Sequence, residues 1–274
     1  MKTRITYLLN LFIIIIQLQV DAQGLWIQKG NFSGAARGRA ISFAIGNLGY
    51  YGCGNHTGGS AETADMWQYD AAVDSWTQIA NYPIGMQAAE AFVLNGAGYV
   101  GSGWSGGFSF ADWYKYVPSS NTWVVVAPLP VNTVHDAGMF QVNGKGYVIG
   151  GAYPYSNANN NTLYEYDPVL NSWSQKANFP FYRRVPAAFS GGGNGFAGLG
   201  QEAGTNANAY DLYMYDVNSD TWIQKANFPN TTGATWDSRR SCFELNGMAY
   251  FVLGGEFFNY NYQTDSWQQL PNPP

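Results

Sequence analysis

The chain has 274 residues, with 18 acidic against 13 basic residues for a net charge of −5; only 11% are charged, 17% are aromatic and 33 are glycine. No run of Lys or Arg occurs, which argues against a nucleic-acid partner or an anionic membrane surface, since both need a basic footprint. A helical protein would carry more charge on its exposed faces, so the composition predicts short strands joined by tight turns.

The first 22 residues read as a signal peptide. Lys2 and Arg4 give a positive start, and Ile5 to Val20 is mostly apolar. Val20-Asp21-Ala22 puts small residues at a cleavage site before Gln23. The apolar stretch is interrupted by Asn10, Gln17 and Gln19 and is short for a membrane span. The expectation is export to the periplasm, the cell surface or the medium, with no span left after cleavage. Residues 23–274 are then one domain.

From Trp26 onward the chain repeats. Trp26, Trp76, Trp123, Trp173, Trp222 and Trp267 are spaced by 50, 47, 50, 49 and 45 residues. Near-identical text follows several of them, as in WSQKANFP at Trp173 and WIQKANFP at Trp222. Seven residues before each of the last five stands Tyr69, Tyr116, Tyr166, Tyr215 or Tyr260. Two residues earlier stands another aromatic, and this spacing puts both on one face of a strand. Upstream, Phe43, Phe92, Phe140, Phe189 and Phe243 mark a first strand. Tyr50, Tyr99, Tyr147, Phe196 and Tyr250 mark a second, with Asn-Gly turns between the two in several copies. Each repeat therefore codes four strands, and the five copies span about 34–83, 84–130, 131–180, 181–229 and 230–274. Four strands cannot bury both faces alone; arranged radially, neighbouring sheets cover each other.

The order of Gly-Gly, Tyr and Trp at this spacing resembles the kelch repeat over about residues 24–274. Gly150-Gly151 and Gly254-Gly255 keep the glycine pair, whereas Cys53-Gly54, Ser102-Gly103 and Leu199-Gly200 depart from it. The resemblance implies an all-β, kelch-type β-propeller of the galactose oxidase-like superfamily and of an exported bacterial type. The reading is five full four-stranded blades plus an extra N-terminal Trp strand; the alternative is an incomplete six-bladed ring.

Metal and nucleophile motifs are missing. The chain has two histidines, His56 and His135, in different repeats and without paired-ligand spacing. Their places, after a second strand in one repeat and before a first strand in the other, predict opposite mouths of the channel. Copper-radical oxidases of this superfamily need two His and two Tyr ligands, one Tyr crosslinked to Cys, so no metal and no cofactor is expected. The glycine run 191–195 aligns with the hairpin at 142–146 and is not a phosphate loop. Cys53 and Cys242 fall on adjacent blades of a five-membered ring, where a disulfide is open to them; otherwise they are small buried hydrophobes.

What stands out is charge just before the first strands: Arg37 and Arg39, Glu90, His135 and Asp136, Arg183 and Arg184, and Asp237, Arg239 and Arg240. These should ring one mouth of the channel, where Arg39, Glu90, His135, Asp136, Arg184, Trp236, Arg239 and Arg240 are the candidate ligand-binding set. Arginines there could grip a carboxylate, or they could form salt bridges between blades. The loops 55–64, 104–112, 152–162 and 201–209 mix Gly, Asn and Ser with aromatics, as a recognition surface does, and are expected at the opposite mouth. The expected function is an exported, non-catalytic module recognising a protein or glycan. The alternative is a sugar-modifying enzyme similar to sialic-acid mutarotases of the N-acetylneuraminate epimerase type, with a carboxylate or His135 in proton transfer. Convergence of the charges on an open pocket favours the enzyme; pairing across blade seams disfavours it.

Overall fold

The computed structural model describes residues 26–56, 61–131, 134–152, 160–202, 205, 207–229 and 240–272, with the backbone alone for Arg240. The segment read as a signal peptide lies outside them. Among the described residues every regular element is a β-strand, and no helix is long and apolar enough to cross a membrane.

Five antiparallel sheets of four strands follow one another along the chain. Blade one is Ile41–Ile45, Leu48–Gly52, Met66–Asp70 and Ser75–Ile79. Blade two is Glu90–Leu94, Ala97–Gly101, Trp113–Val117 and Thr122–Val126. Blade three is Gly138–Val142, Lys145–Ile149, Leu163–Asp167 and Ser172–Lys176. Blade four is Ala187–Gly191, Asn194–Gly198, Leu212–Asp216 and Thr221–Lys225. Blade five is Arg240–Leu245, Met248–Leu253, Glu256–Asn261 and Ser266–Leu270. First strands of successive blades pack side by side around a central channel, so the sheets form a propeller ring.

The repeated residues do repeated work. Within each blade the first-strand phenylalanine stacks on the second-strand aromatic opposite it, as Phe140 does on Tyr147 at 4.8 Å and Phe189 on Phe196 at 4.7 Å. The same phenyl ring reaches the next blade. Gly146 and Gly195 stand where a Cβ would intrude on Phe92 and Phe140, so glycine is what lets two sheets approach there. Asn143-Gly144, with φ of 51° and 73°, closes the first hairpin of blade three, the left-handed pair that such a turn requires.

At the outer rim the tryptophans tie each blade to the one before. Trp173 Nε1–H donates to the Ala127 carbonyl at 2.9 Å, and Trp222 to that of Ala177 at 2.9 Å. A second clasp was not foreseen. The strand-three tyrosine donates to an Asp or Asn five residues on, and that side chain also accepts a backbone N–H from the preceding blade. Tyr166 to Asn171, which accepts from Ala127, is one instance; Tyr215 to Asp220, which accepts from Ala177, is another. Asn171 and Asp220 sit at φ 47° and 53°, a region that Asn and Asp tolerate. The expected extra N-terminal strand is a segment, residues 26–32, that lies along this rim but pairs in no sheet.

Candidate functional site: the charged mouth of the channel

An antiparallel hairpin returns the chain to the end where it began. The segment before each first strand and the loop after each second strand therefore share one mouth. Register shows it directly: Arg37 faces His56, Gln87 faces Trp104, His135 faces Ala152, and Arg183 and Arg184 face Glu202 and Gln201. This corrects two expectations. The long polar loops lie at the same mouth as the charges, and so do His56 and His135. The two histidines still belong to blades one and three, and among the described residues no group of three or more His, Cys, Asp or Glu could hold a metal ion.

Backbone order sets the centre of this mouth. Ala88 N–H donates to the Arg39 carbonyl at 2.9 Å, Asp136 N–H to that of Ala88 at 3.3 Å, and Val185 N–H to that of Asp136 at 2.7 Å. Blades one to four are thus laced together, residue to equivalent residue. Arg39, Ala88, Asp136 and Val185 all have φ between 48° and 56°. Such conformations cost about 1–3 kcal/mol each and persist where surrounding bonds hold them. For Val185, with its branched Cβ, the conformation is least natural of all.

The side chains then meet across the channel. Arg39 of blade one places Nη2 2.5 Å from Asp136 Oδ1 of blade three, while Arg184 of blade four donates through Nε and Nη2 to Oδ2 at 3.0 and 2.8 Å. Asp136 is buried; the two arginine side chains keep 31% and 35% exposure. Burial alone would raise the Asp136 pKa, but Arg39 and Arg184 overcome it and hold the carboxyl below its ordinary value. His135 is 8% exposed and bonded through Nδ1 to Ser109 Oγ at 2.9 Å, with the Trp104 ring edge-on at 5.1 Å. Burial lowers its pKa, Asp136 opposes that, and the arginines add to it, so the imidazole is neutral near pH 7. Glu90, 7% exposed, is driven the other way: burial and the Asp136 charge push it well above the usual carboxylate range, against the Ala137 N–H and Arg39. It stands on the wall of a cavity of about 220 Å³ that runs down the channel between Ile41, Met139, Ala188 and Cys242. Within this trio two guanidiniums face one carboxylate, a local excess of one positive charge, while Glu62 and Glu202 lie on the surrounding loops of the same mouth.

The remaining candidates separate from this cluster. Arg183 is buried and ion-paired with Asp211, stacked against Phe179 and Phe181 at 5.8 and 5.3 Å. Arg37 grips Asp65 with two bonds of 2.7 Å, and hydrogen bonding to Arg37 takes the Asp65 pKa to about 2. These two arginines hold loops and are not part of the mouth's surface. Trp236, Asp237 and Arg239 lie outside the described residues, and Arg240 opens the first strand of blade five. Cys53 and Cys242 form no disulfide. Cys53 lies beside Met66 in the core between blades one and two, and Cys242 donates to the Ala188 carbonyl at 3.1 Å. Burial raises their pKa to about 12 and about 11, as fits inert packed thiols. Around the cluster Phe108, Phe181 and Tyr182 are exposed. Ser109, which bonds the His135 ring, carries no signal in the sequence; it lies in the two-residue strand Phe108–Ser109, paired with Trp104–Ser105, outside the repeated positions.

No family model matches the chain. In sequence it is similar to Kelch-like protein 35 of Mus musculus, 28% identical over 165 residues, which is 60% of this chain and 28% of that protein. An F-box/kelch-repeat protein of Arabidopsis thaliana is 29% identical over 130 residues, 46% of this chain and 34% of that protein. Kelch-like protein 6 of Homo sapiens is 34% identical over 95 residues, 35% of this chain and 15% of that protein. The matches thus span about a third or less of these relatives' lengths. Among solved structures, that of YjhT superposes with a TM-score of 0.75 over 90% of this chain and 88% of that one at 15% identity, a likeness of fold. With five tandem copies of one four-stranded unit, each closed by the same aromatic contacts and similar in sequence to kelch proteins, the chain is a kelch-repeat β-propeller.

Proposed function

We propose that this propeller is an exported binding module that takes a polypeptide ligand at its charged mouth and catalyses no reaction on it. The observation that carries the reading is the cross-channel cluster. Arg39, Asp136 and Arg184 engage one another, keep a surplus positive charge and leave a third of each arginine facing solvent. An acidic side chain or a terminal carboxylate is the group such a site favours. Phe108, Phe181 and Tyr182 at the same mouth supply rigid apolar contact around it. Similarity to Kelch-like proteins supports protein interaction as the general role.

The charges converge across the channel, as an enzyme would require, but the groups able to move protons are out of reach. His135 and Glu90 are 8% and 7% exposed, so a sugar could not touch either without the mouth opening. Export rests on the N-terminal segment and predicts a mature chain beginning at Gln23, which intact mass of the secreted protein reads directly.

Binding is tested with the mature chain on a peptide array and a glycan array. Selected peptides should share an acidic or C-terminal carboxylate flanked by an aromatic. The Arg39→Ala and Arg184→Ala double change should weaken them about tenfold or more, the loss expected for charge-assisted bonds. Binding that survives the double change overturns the mouth as the site. Selective glycan binding, or anomer interconversion of a carboxylated sugar that His135→Ala abolishes, would replace the reading.

A further inference from the structure

The outer rim counts six where the blades count five. In every blade the tryptophan Nε1–H donates to the carbonyl four residues past the preceding tryptophan. The pairs are Trp76 to Gly30, Trp123 to Ala80, Trp173 to Ala127, Trp222 to Ala177 and Trp267 to Ala226, at 2.9–3.3 Å. Trp26 donates in its turn to Pro271, four residues past Trp267, at 3.5 Å. The cycle closes on itself with six members. Phe32 then meets Trp67 and Trp76 edge-on as Tyr82 meets Tyr114 and Trp123, and as Phe179 meets Tyr213 and Trp222. Residues 26–32 hold the outer place of a sixth unit between blades five and one.

Among the described residues nothing fills the inner places of that unit. Phe92, Phe140 and Phe189, each covered by the blade that follows, are 4%, 3% and 5% exposed; Phe243 of blade five is 45% exposed, with Leu245 beside it also exposed. In blades two, three and four the second-strand glycines Gly98, Gly146 and Gly195 lie under the preceding blade's phenylalanine. Their counterpart in blade one, Gly49, has within 4 Å of a Cβ position only Tyr69 of its own blade. Ring contacts join Tyr50 to Tyr116, Tyr99 to Tyr166, Tyr147 to Tyr215 and Phe196 to Tyr260 across the filled seams, at 5.4–6.2 Å. Among the described residues no such contact joins Tyr250 to Tyr69, and Tyr69 is the one strand-three tyrosine of the five that is not buried.

We propose that the seam between blades five and one is a vacant blade position, and that its partner is a three-stranded antiparallel β-sheet of this repeat's own chemistry. Such a sheet would set an aromatic ring over Gly49, a glycine or alanine beneath Phe243, and its third strand along residues 26–28. The occupant follows from continuity. Both open faces are ones that, at the other four seams, bind nothing but the face of a neighbouring blade. The gap is one unit wide by the rim's own register, too narrow for a second intact ring.

The test appends a copy of residues 134–171, the first three strands of blade three with their turns, after Pro274. The fused chain should melt about 5 °C or more higher, given the apolar faces it covers. Amides of Ile41–Ile45 and Ser241–Leu245 should exchange roughly tenfold slower, and Phe140→Asp within the appended copy should abolish both effects. Should the fusion not fold, hydroxyl-radical footprinting of the unfused chain still decides: Phe243 and Tyr69 should be modified several-fold faster than Phe140 and Tyr166. Equal rates there, a well-folded fusion with unchanged melting and a freely proteolysed appendage, or a concentration-dependent dimer of the unfused chain that protects Phe243, would each overturn the proposal.

Discussion

Glu90 and Asp136 share a mouth, yet the mouth pushes the pKa of one carboxyl up and holds that of the other down. The difference lies in partners, since both are buried. Asp136 has two guanidiniums within 3.0 Å, whereas Glu90 has a backbone N–H and the repulsion of Asp136. Their effects on stability run in opposite directions. The folded pKa of Asp136 is depressed, so its contribution is present above its ordinary value of 3.8 and is lost as pH falls through the folded value. The folded pKa of Glu90 is raised, so its contribution is whole below its ordinary value of 4.5 and is lost as pH rises toward the folded value. Glu90→Gln keeps the shape and removes the titration. Its melting temperature should match the parent near pH 4 and exceed it increasingly toward pH 8 in parallel thermal melts. A gap that stays constant with pH would mean that Glu90 is ionised in the folded chain.

Between blades the unit of cohesion is the tryptophan with its acceptor carbonyl. Trp173→Phe keeps most of the ring and deletes the donor, leaving the Ala127 carbonyl without that partner. The loss should be about 0.5–1.5 kcal/mol, read as a fall of a few degrees in melting temperature. Trp26→Phe should cost less, because its bond is 3.5 Å long and exposed. Much of this scale was legible in the sequence, because each strand carries its aromatic at a fixed offset from its tryptophan. The Asp or Asn clasp stands in the sequence too, at Asp74, Asn121, Asn171, Asp220 and Asp265, each two residues before a tryptophan, but two residue types share the position and blur the repeat there. The mouth was read less well. Its candidate residues share one position before each first strand, but the end of the blade that a long loop reaches is set by the antiparallel return of the hairpin, which the loop's own composition does not mark. Pairing of Arg39 with Asp136 joins residues 97 apart, and no local spacing encodes a contact made across a channel.

For the whole molecule the consequence of an open seam is an array with ends. Each blade packs on its neighbours only, so blade three is covered on both faces, by blades two and four, while among the described residues blades one and five each lack a neighbour on one inner face. Local opening should therefore start at the seam. The two ends are not equivalent. Blade one is tied across the channel by Arg39 to Asp136, whose other arginine belongs to blade four, while among the described side chains blade five makes no comparable cross-channel ion pair. Hydrogen exchange at neutral pH should accordingly rank protection with the strands 138–149 of blade three slowest, 41–52 of blade one intermediate and 241–253 of blade five fastest. Acid removes the distinction from one side only. As pH falls through the folded pKa of Asp136 its carboxyl is neutralised, the hold on Arg39 weakens, and blade one should become as labile as blade five while blade three keeps its lead. Uniform exchange across all five blades would instead mark a ring that opens as a single cooperative body, with the seam carrying as much cohesion as the other four.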